Sequence, residues 1–156
     1  MYFLEQLVAE WFEYRGYFVR TNIKFGKLGH GGWTGEIDVA AYHPQTREFV
    51  HVEASMDSET WPKRKIKFEK KFRGAQSYYE HLFPFPKASN RKVAVVGFTK
   101  PKEKSPLGAG IELVLVPEFV RMICEELRSK DPLKQAIPES MPLLRSMQYA
   151  VRYGGK

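Results

Sequence analysis

The sequence predicts an α/β domain: a mixed β-sheet flanked by helices, in the order α-β-β-β-α-β-β-α. Three observations carry this. An amphipathic helix opens the chain, strand-like runs separated by turn residues follow it, and two later runs are almost wholly apolar, as strands covered on both faces are. The 156 residues suit one domain with a real core.

Phe3, Leu4, Leu7, Val8, Trp11 and Tyr14 recur at helical spacing, so residues 2–15 form the first helix, stopped by Gly16. Tyr17 to Phe25 is rich in β-formers and reads as a first strand. Residues 26–35 (GKLGHGGWTG) hold glycine at five of ten positions and read as a flexible loop or long hairpin connection. Glu36–Tyr42 and Glu48–Ser55 are the next two strands, joined by the turn residues His43 to Arg47. A long helix is expected from Lys63 to Phe83, ended by Pro84 and Pro86. Lys92–Thr99 and Ile111–Val116 are the apolar strands, and Pro117 sits in the first turn of a helix over 118–129. After Asp131 the pattern weakens. Residues 1–131 therefore read as the main domain and 132–156 as a C-terminal extension, helical at about Pro142–Tyr153 or partly disordered. This extension packs on the domain, mediates association or frays; the pattern fits all three.

Lys and Arg outnumber Asp and Glu by 25 to 18, a formal charge of +7 that favours a polyanionic partner. Cys124 is the single cysteine, which excludes an internal disulfide and a multi-cysteine zinc site. Lying between Val120, Ile123 and Leu127, it reads as a buried core thiol. The N-terminus carries Glu5, Glu10 and Glu13 with no basic leader, and no run reaches the ~18 apolar residues of a membrane span. The expected location is cytoplasmic.

Strand periodicity puts Glu36, Asp38, Ala40 and Tyr42 on one face and Ile37, Val39 and Ala41 on the other. On the third strand Phe49, His51, Glu53 and Ser55 share a face. Closing the hairpin symmetrically about Gln45-Thr46 sets Asp38 opposite Glu53, with β-carbons about 4.5–5.5 Å apart. Two carboxylates at that distance require a shared proton or a cation between them. Mg²⁺ or Mn²⁺ suits carboxylate oxygens and water, and such an ion activates water against a phosphoryl centre. The competing reading is a pair of exposed strand charges.

The stretches LEQLVAEWFEYRGYFV (4–19), GEIDVAAY (35–42) and FVHVEAS (49–55) resemble the PD-(D/E)XK nucleases. That superfamily includes restriction endonucleases and archaeal Holliday junction resolvases. The likeness spans about residues 3–128 and implies a restriction-endonuclease-like fold and a Mg²⁺- or Mn²⁺-dependent deoxyribonuclease. It implies Asp38, Glu53 and the Ala54 carbonyl as metal ligands, with Glu5 assisting and Glu10 in reserve. Resolvase-like relatives further imply double-stranded or branched DNA as substrate and a homodimer. Where the family carries its E-x-K lysine this chain has Ser55, which lacks the ammonium that steadies a developing negative charge. Some members supply that ammonium from the next helix, where Lys65 and Lys67 are the expected donors. A degenerate nuclease fold that binds nucleic acid without cutting it is the alternative.

Residues 63–73 (KRKIKFEKKFR) hold seven basic residues and one acid. Lys63, Arg64, Lys67, Lys70, Lys71 and Arg73 are thus expected to contact phosphates, which supplies affinity without sequence information. Gln76 is a weaker candidate for a phosphate or the acid cluster. Lys24, Lys27, His30 and Trp33 on the glycine-rich loop either grip DNA or belong to a bland hairpin tip. The four histidines show no metal-ligand spacing, although His51 shares the Glu53 face. An interaction protein for RNA or another polypeptide is a third functional class compatible with the charge.

Overall fold

Gly16, with φ of 90°, ends helix α1 (Phe3–Tyr14) in a left-handed turn that only glycine adopts without strain, and sends the chain into the sheet. The computed structural model describes residues 2–97 and 99–155. Five strands follow in the spatial order of the chain: β1 (Phe18–Lys27), β2 (Trp33–Tyr42), β3 (Glu48–Ser55), β4 (Ser89–Val96) and β5 (Ile111–Leu115). β1, β2 and β3 are antiparallel neighbours, while β3, β4 and β5 run parallel. The sheet is therefore mixed, and the expected α/β fold class holds.

Helices cover both faces. Leu4, Leu7, Val8 and Trp11 of α1 pack with Val50, Val52, Val93 and Val95, and with Phe119, Ile123 and Leu127 of α4 (Val116–Arg128). On the other face α2 (Trp61–Gln76) and the short α3 (Tyr79–Leu82) bury Phe68, Phe72, Ala75 and Tyr79. The crossover from β3 to β4 runs through these two helices. Among its described residues the β4–β5 connection has no helix, and it is anchored by Leu107, buried beside Phe68 and Phe72. No helix among the described residues is long and apolar enough to cross a membrane.

Several boundaries differ from expectation. The expected helix over 63–83 breaks at Ser77–Tyr78 into α2 and α3. β4 begins at Ser89 and ends at Val96, before Gly97 with its φ of 64°; Phe98, also expected in that strand, lies outside the described residues. Half of the glycine-rich segment is strand, and residues 28–32 form the tip. Within the hairpin the faces exchange. Val39 and Ala41 pack under α1 and α4, but Ile37 joins Ile23 and Phe25 on the α2 side, contrary to simple alternation. β1 has left-handed backbone at Asn22 (φ 52°) and at Gly26 (φ 65°), which twists the outer hairpin around. Cys124 is half-buried at the edge of α4 rather than in the core.

Helix α5 (Pro142–Tyr153) packs on the domain: Ile137, Met141 and Leu144 join the core beneath α1. Glu10 holds it there. Its carboxylate, 4% exposed, accepts hydrogen bonds from the Leu144 backbone N–H (2.9 Å) and from Gln6 Nε2 (3.0 Å). Leu144 is in the first turn of α5, where backbone donors have no partner within the helix. Glu10, the reserve site acid, is thus a cap for α5. Glu10→Ala leaves that N–H buried and unsatisfied, and is expected to cost about 1–3 kcal/mol in urea unfolding; a change within about 0.5 kcal/mol would contradict this role.

Candidate active site

The β2–β3 ladder follows the register expected from the turn, from Tyr42↔Phe49 to Val39↔Val52, and ends there. Beyond Val39, β2 continues with β1 alone, while Glu53, Ala54 and Ser55 pair only with β4. The sheet forks between Asp38 and Glu53. A fork strips backbone groups of ladder partners, and Asp38 compensates: its Oδ2 accepts the Ala54 N–H at 2.9 Å. Residues on opposite arms of the fork thereby converge.

Lys71 of α2 closes it. Its ammonium contacts Glu53 Oε2 and lies 3.5 Å from Asp38 Oδ1. Glu53 is fully buried, and its second oxygen, Oε1, is 2.6 Å from His51 Nε2. His51, also fully buried, is tied through Nδ1 to the Tyr79 hydroxyl at 2.6 Å and rests edge-on against Phe72. Burial pushes the Asp38 carboxyl up to about 6; the Glu53 charge adds to this, while Lys71 and the Ala54 N–H offset part of it. Burial also raises Glu53, outweighing the opposing pull of Lys71. His51 is lowered to about 3 by burial and stays neutral, and the buried Tyr79 phenol is raised and stays protonated. Burial alone would lower Lys71, but Glu53 and Asp38 hold it above the usual lysine value.

A cavity of about 540 Å³ opens on this cluster, lined by Glu5, Glu36, Asp38, Ala54, Lys67 and Lys71 among others. Glu5, 7% exposed, thus reaches the same space from α1, and Ala54 also lines it. The lysine expectations need correction. Lys65 is exposed and forms no ion pair among the described residues, because the sheet-facing side of α2 is set by Arg64, Phe68, Phe72 and Ala75. Lys67 lines the cavity but is held by Asp57 (2.8 Å) and Glu59 (3.7 Å), not by the carboxylate pair. Lys71, expected on a phosphate, instead places its ammonium against the two carboxylates. Ser55 Oγ donates to Asp57 Oδ2 at 2.5 Å.

Two further phosphate candidates are structural. Arg64 is buried; it donates to the Asp57 carbonyl at 2.7 Å and lies over Trp61. Gln76 accepts from Lys92 Nζ at 2.6 Å and does not touch the acids. Lys63, Lys70 and Arg73 are exposed on α2, as are Lys24, Lys27 and Trp33 on the hairpin, where Lys27 and Trp33 are partners across the strands. His51 and Tyr79 are members of the cluster that carry no metal-site spacing; their signal is that His51 shares the Glu53 face and Tyr79 lies at the end of the buried side of the helix.

The donor set fits a small hard cation. Asp38 Oδ1 and Glu53 Oε2 both turn to one positive group, and two carboxylates against one lysine leave a negative excess. His51 has both ring nitrogens engaged and is not a donor. Among the described residues no three or more His, Cys, Asp or Glu side chains gather as a metal cluster. Two carboxylates are a sparse set, of the kind that suits an ion retaining several waters, as Mg²⁺ does.

No family model and no curated protein matches the chain. It is similar to a solved structure described as "Crystal Structure of Protein of Unknown Function AF1548", at 12% identity over 97% of each chain with a TM-score of 0.46.

The raised Asp38 makes stability pH-dependent. The folded state holds the proton up to about 6, whereas the unfolded carboxyl releases it near 3.8, so this contribution is full below 3.8 and lost as pH rises through 6. Unfolding free energies measured across pH 4–6 are expected to fall with pH in the native protein and to flatten in Asp38→Asn. An unchanged slope in that variant would contradict the assignment.

Proposed function

We propose that the protein is a Mg²⁺- or Mn²⁺-dependent DNA endonuclease that hydrolyses phosphodiester bonds by direct attack of water. The observation that carries this is the convergence of Asp38, Glu53 and Lys71 at the fork, with Glu5 lining the cavity that Asp38 and Lys71 also line. Asp38 and Glu53, with the Ala54 carbonyl, would hold the ion. When bound, the ion supplies a water of lowered pKa and polarises a phosphoryl oxygen. Lys71 places a fixed positive charge where negative charge develops on the phosphate, the role Ser55 cannot perform. Glu5 is positioned to orient water or accept its proton. Lys63, Lys70 and Arg73 on the outer side of α2, with Lys24 and Lys27 on the hairpin, would bind backbone phosphates of duplex or branched DNA.

The same ion pair supports a second reading, a nucleic-acid-binding module without turnover in which Lys71 is the permanent counter-ion of the carboxylates. Incubation with supercoiled, linear and branched DNA and Mn²⁺ or Mg²⁺ separates the two. Cleavage is expected from the native protein, lost in Asp38→Ala, reduced about 10²–10³-fold in Lys71→Ala, and retained in Lys65→Ala. Salt-dependent binding without cleavage in any condition would favour the second reading; no binding at all would overturn both.

Binding itself gives an independent measurement. Lys70→Ala with Arg73→Ala is expected to weaken DNA binding and make the log–log salt dependence shallower by roughly 1–2 units. An unchanged slope would remove α2 from the interface.

A further inference from the structure

His51 and Tyr79 do more to Glu53 than fill space beneath it. A neutral imidazole has one donor and one acceptor nitrogen. Glu53, beside the Lys71 ammonium, is an acceptor, so His51 Nε2 carries the hydrogen and donates to Oε1. Nδ1 is then the acceptor and receives the Tyr79 hydroxyl. The helix break after Gln76 brings Tyr79 into this place at the start of α3. The result is a fixed ring whose single N–H is spent on one oxygen of one carboxylate.

Asp38 is restricted in a parallel way, because its Oδ2 is spent on the Ala54 N–H. Each carboxylate thus has one oxygen committed to a neighbouring backbone or ring N–H, while the other, Oδ1 or Oε2, faces the positive charge of Lys71. Two single-oxygen ligands suit a six-coordinate ion that keeps its waters. Ca²⁺ takes 6–8 oxygens and readily uses both oxygens of a carboxylate. Resting on the reading of this fork as a metal site, we propose that His51 and Tyr79 are positioning residues that cap Glu53 Oε1 and so bias the site toward Mg²⁺ or Mn²⁺ over Ca²⁺.

Calorimetric titration of the full chain with Mn²⁺ and, separately, with Ca²⁺ tests this without reference to cleavage. In His51→Leu the cap is gone. Mn²⁺ affinity is expected to fall roughly 10–100-fold, with Ca²⁺ affinity falling less, so the Mn²⁺/Ca²⁺ ratio narrows. His51→Gln keeps an amide donor for Oε1 and should restore much of the native ratio, which a simple packing defect would not allow. If His51→Leu fails to fold, Tyr79→Phe, which deletes only a hydroxyl, is expected to shift the ratio in the same direction. Nitrogen-15 NMR of the histidine rings should show His51 as the Nε2–H tautomer. An Nδ1–H tautomer, or Mn²⁺ binding with an unchanged ratio in the folded variants, would overturn the cap while leaving the metal site standing. A native protein that binds neither ion would overturn the metal site itself and the cap with it.

Discussion

The fork between β2 and β3 is the constraint on which the site depends. Antiparallel strands normally satisfy one another's backbone groups to their ends. Here β2 leaves β3 after Val39 and follows β1, which twists at Asn22 and Gly26. The opening leaves the Ala54 N–H to a side chain, and Asp38 is that side chain. Glu53 stays on β3 with β4, the central part of the sheet, and is sealed from solvent. One carboxylate sits on the β3–β4 arm and the other on the β1–β2 arm, and both are brought to the same point.

Charge then determines what the fork needs. Burial, with the Glu53 charge adding to it, makes Asp38 hold its proton to about 6. A single lysine compensates one charge. Lys71 comes from the sheet-facing side of a helix whose outer residues Lys63, Lys65, Lys70 and Arg73 remain exposed. One helix thus contributes a fixed charge inside and a cationic surface outside. Arg64 and Lys67 fasten the start of that helix to Asp57. Partial burial would raise the Asp57 carboxyl, but hydrogen bonds from Lys67, Ser55 and the Glu59 N–H prevail and hold it well below the usual range.

Much of this was legible in the sequence, and what was not has physical causes. The α/β class, the Tyr42↔Phe49 register and the nearness of Asp38 to Glu53 follow from alternation and turn length. Ile37 defeated alternation because a left-handed residue on the neighbouring strand turned the hairpin over. Lys65 and Lys67 are the donors the sequence suggests, yet the helical stripe of Arg64, Phe68, Phe72 and Ala75 puts Lys71 inward and Lys65 outward. Glu10, at the other edge of the α1 stripe, is a reserve to Glu5 in the sequence pattern. Only the packing of α5, from the far end of the chain, shows that it caps Leu144 while Glu5 lines the cavity. Such contacts between distant segments leave no local pattern to read.

The central claim is that the Lys71 ammonium and the buried Glu53 carboxylate form one electrostatic unit. A double-mutant cycle in urea unfolding at pH 7, with Glu53→Gln, Lys71→Met and the double variant, measures it directly. A favourable coupling above about 1 kcal/mol is expected for two charged groups in contact in a buried setting. Coupling indistinguishable from zero, with all four proteins folded, would contradict the account.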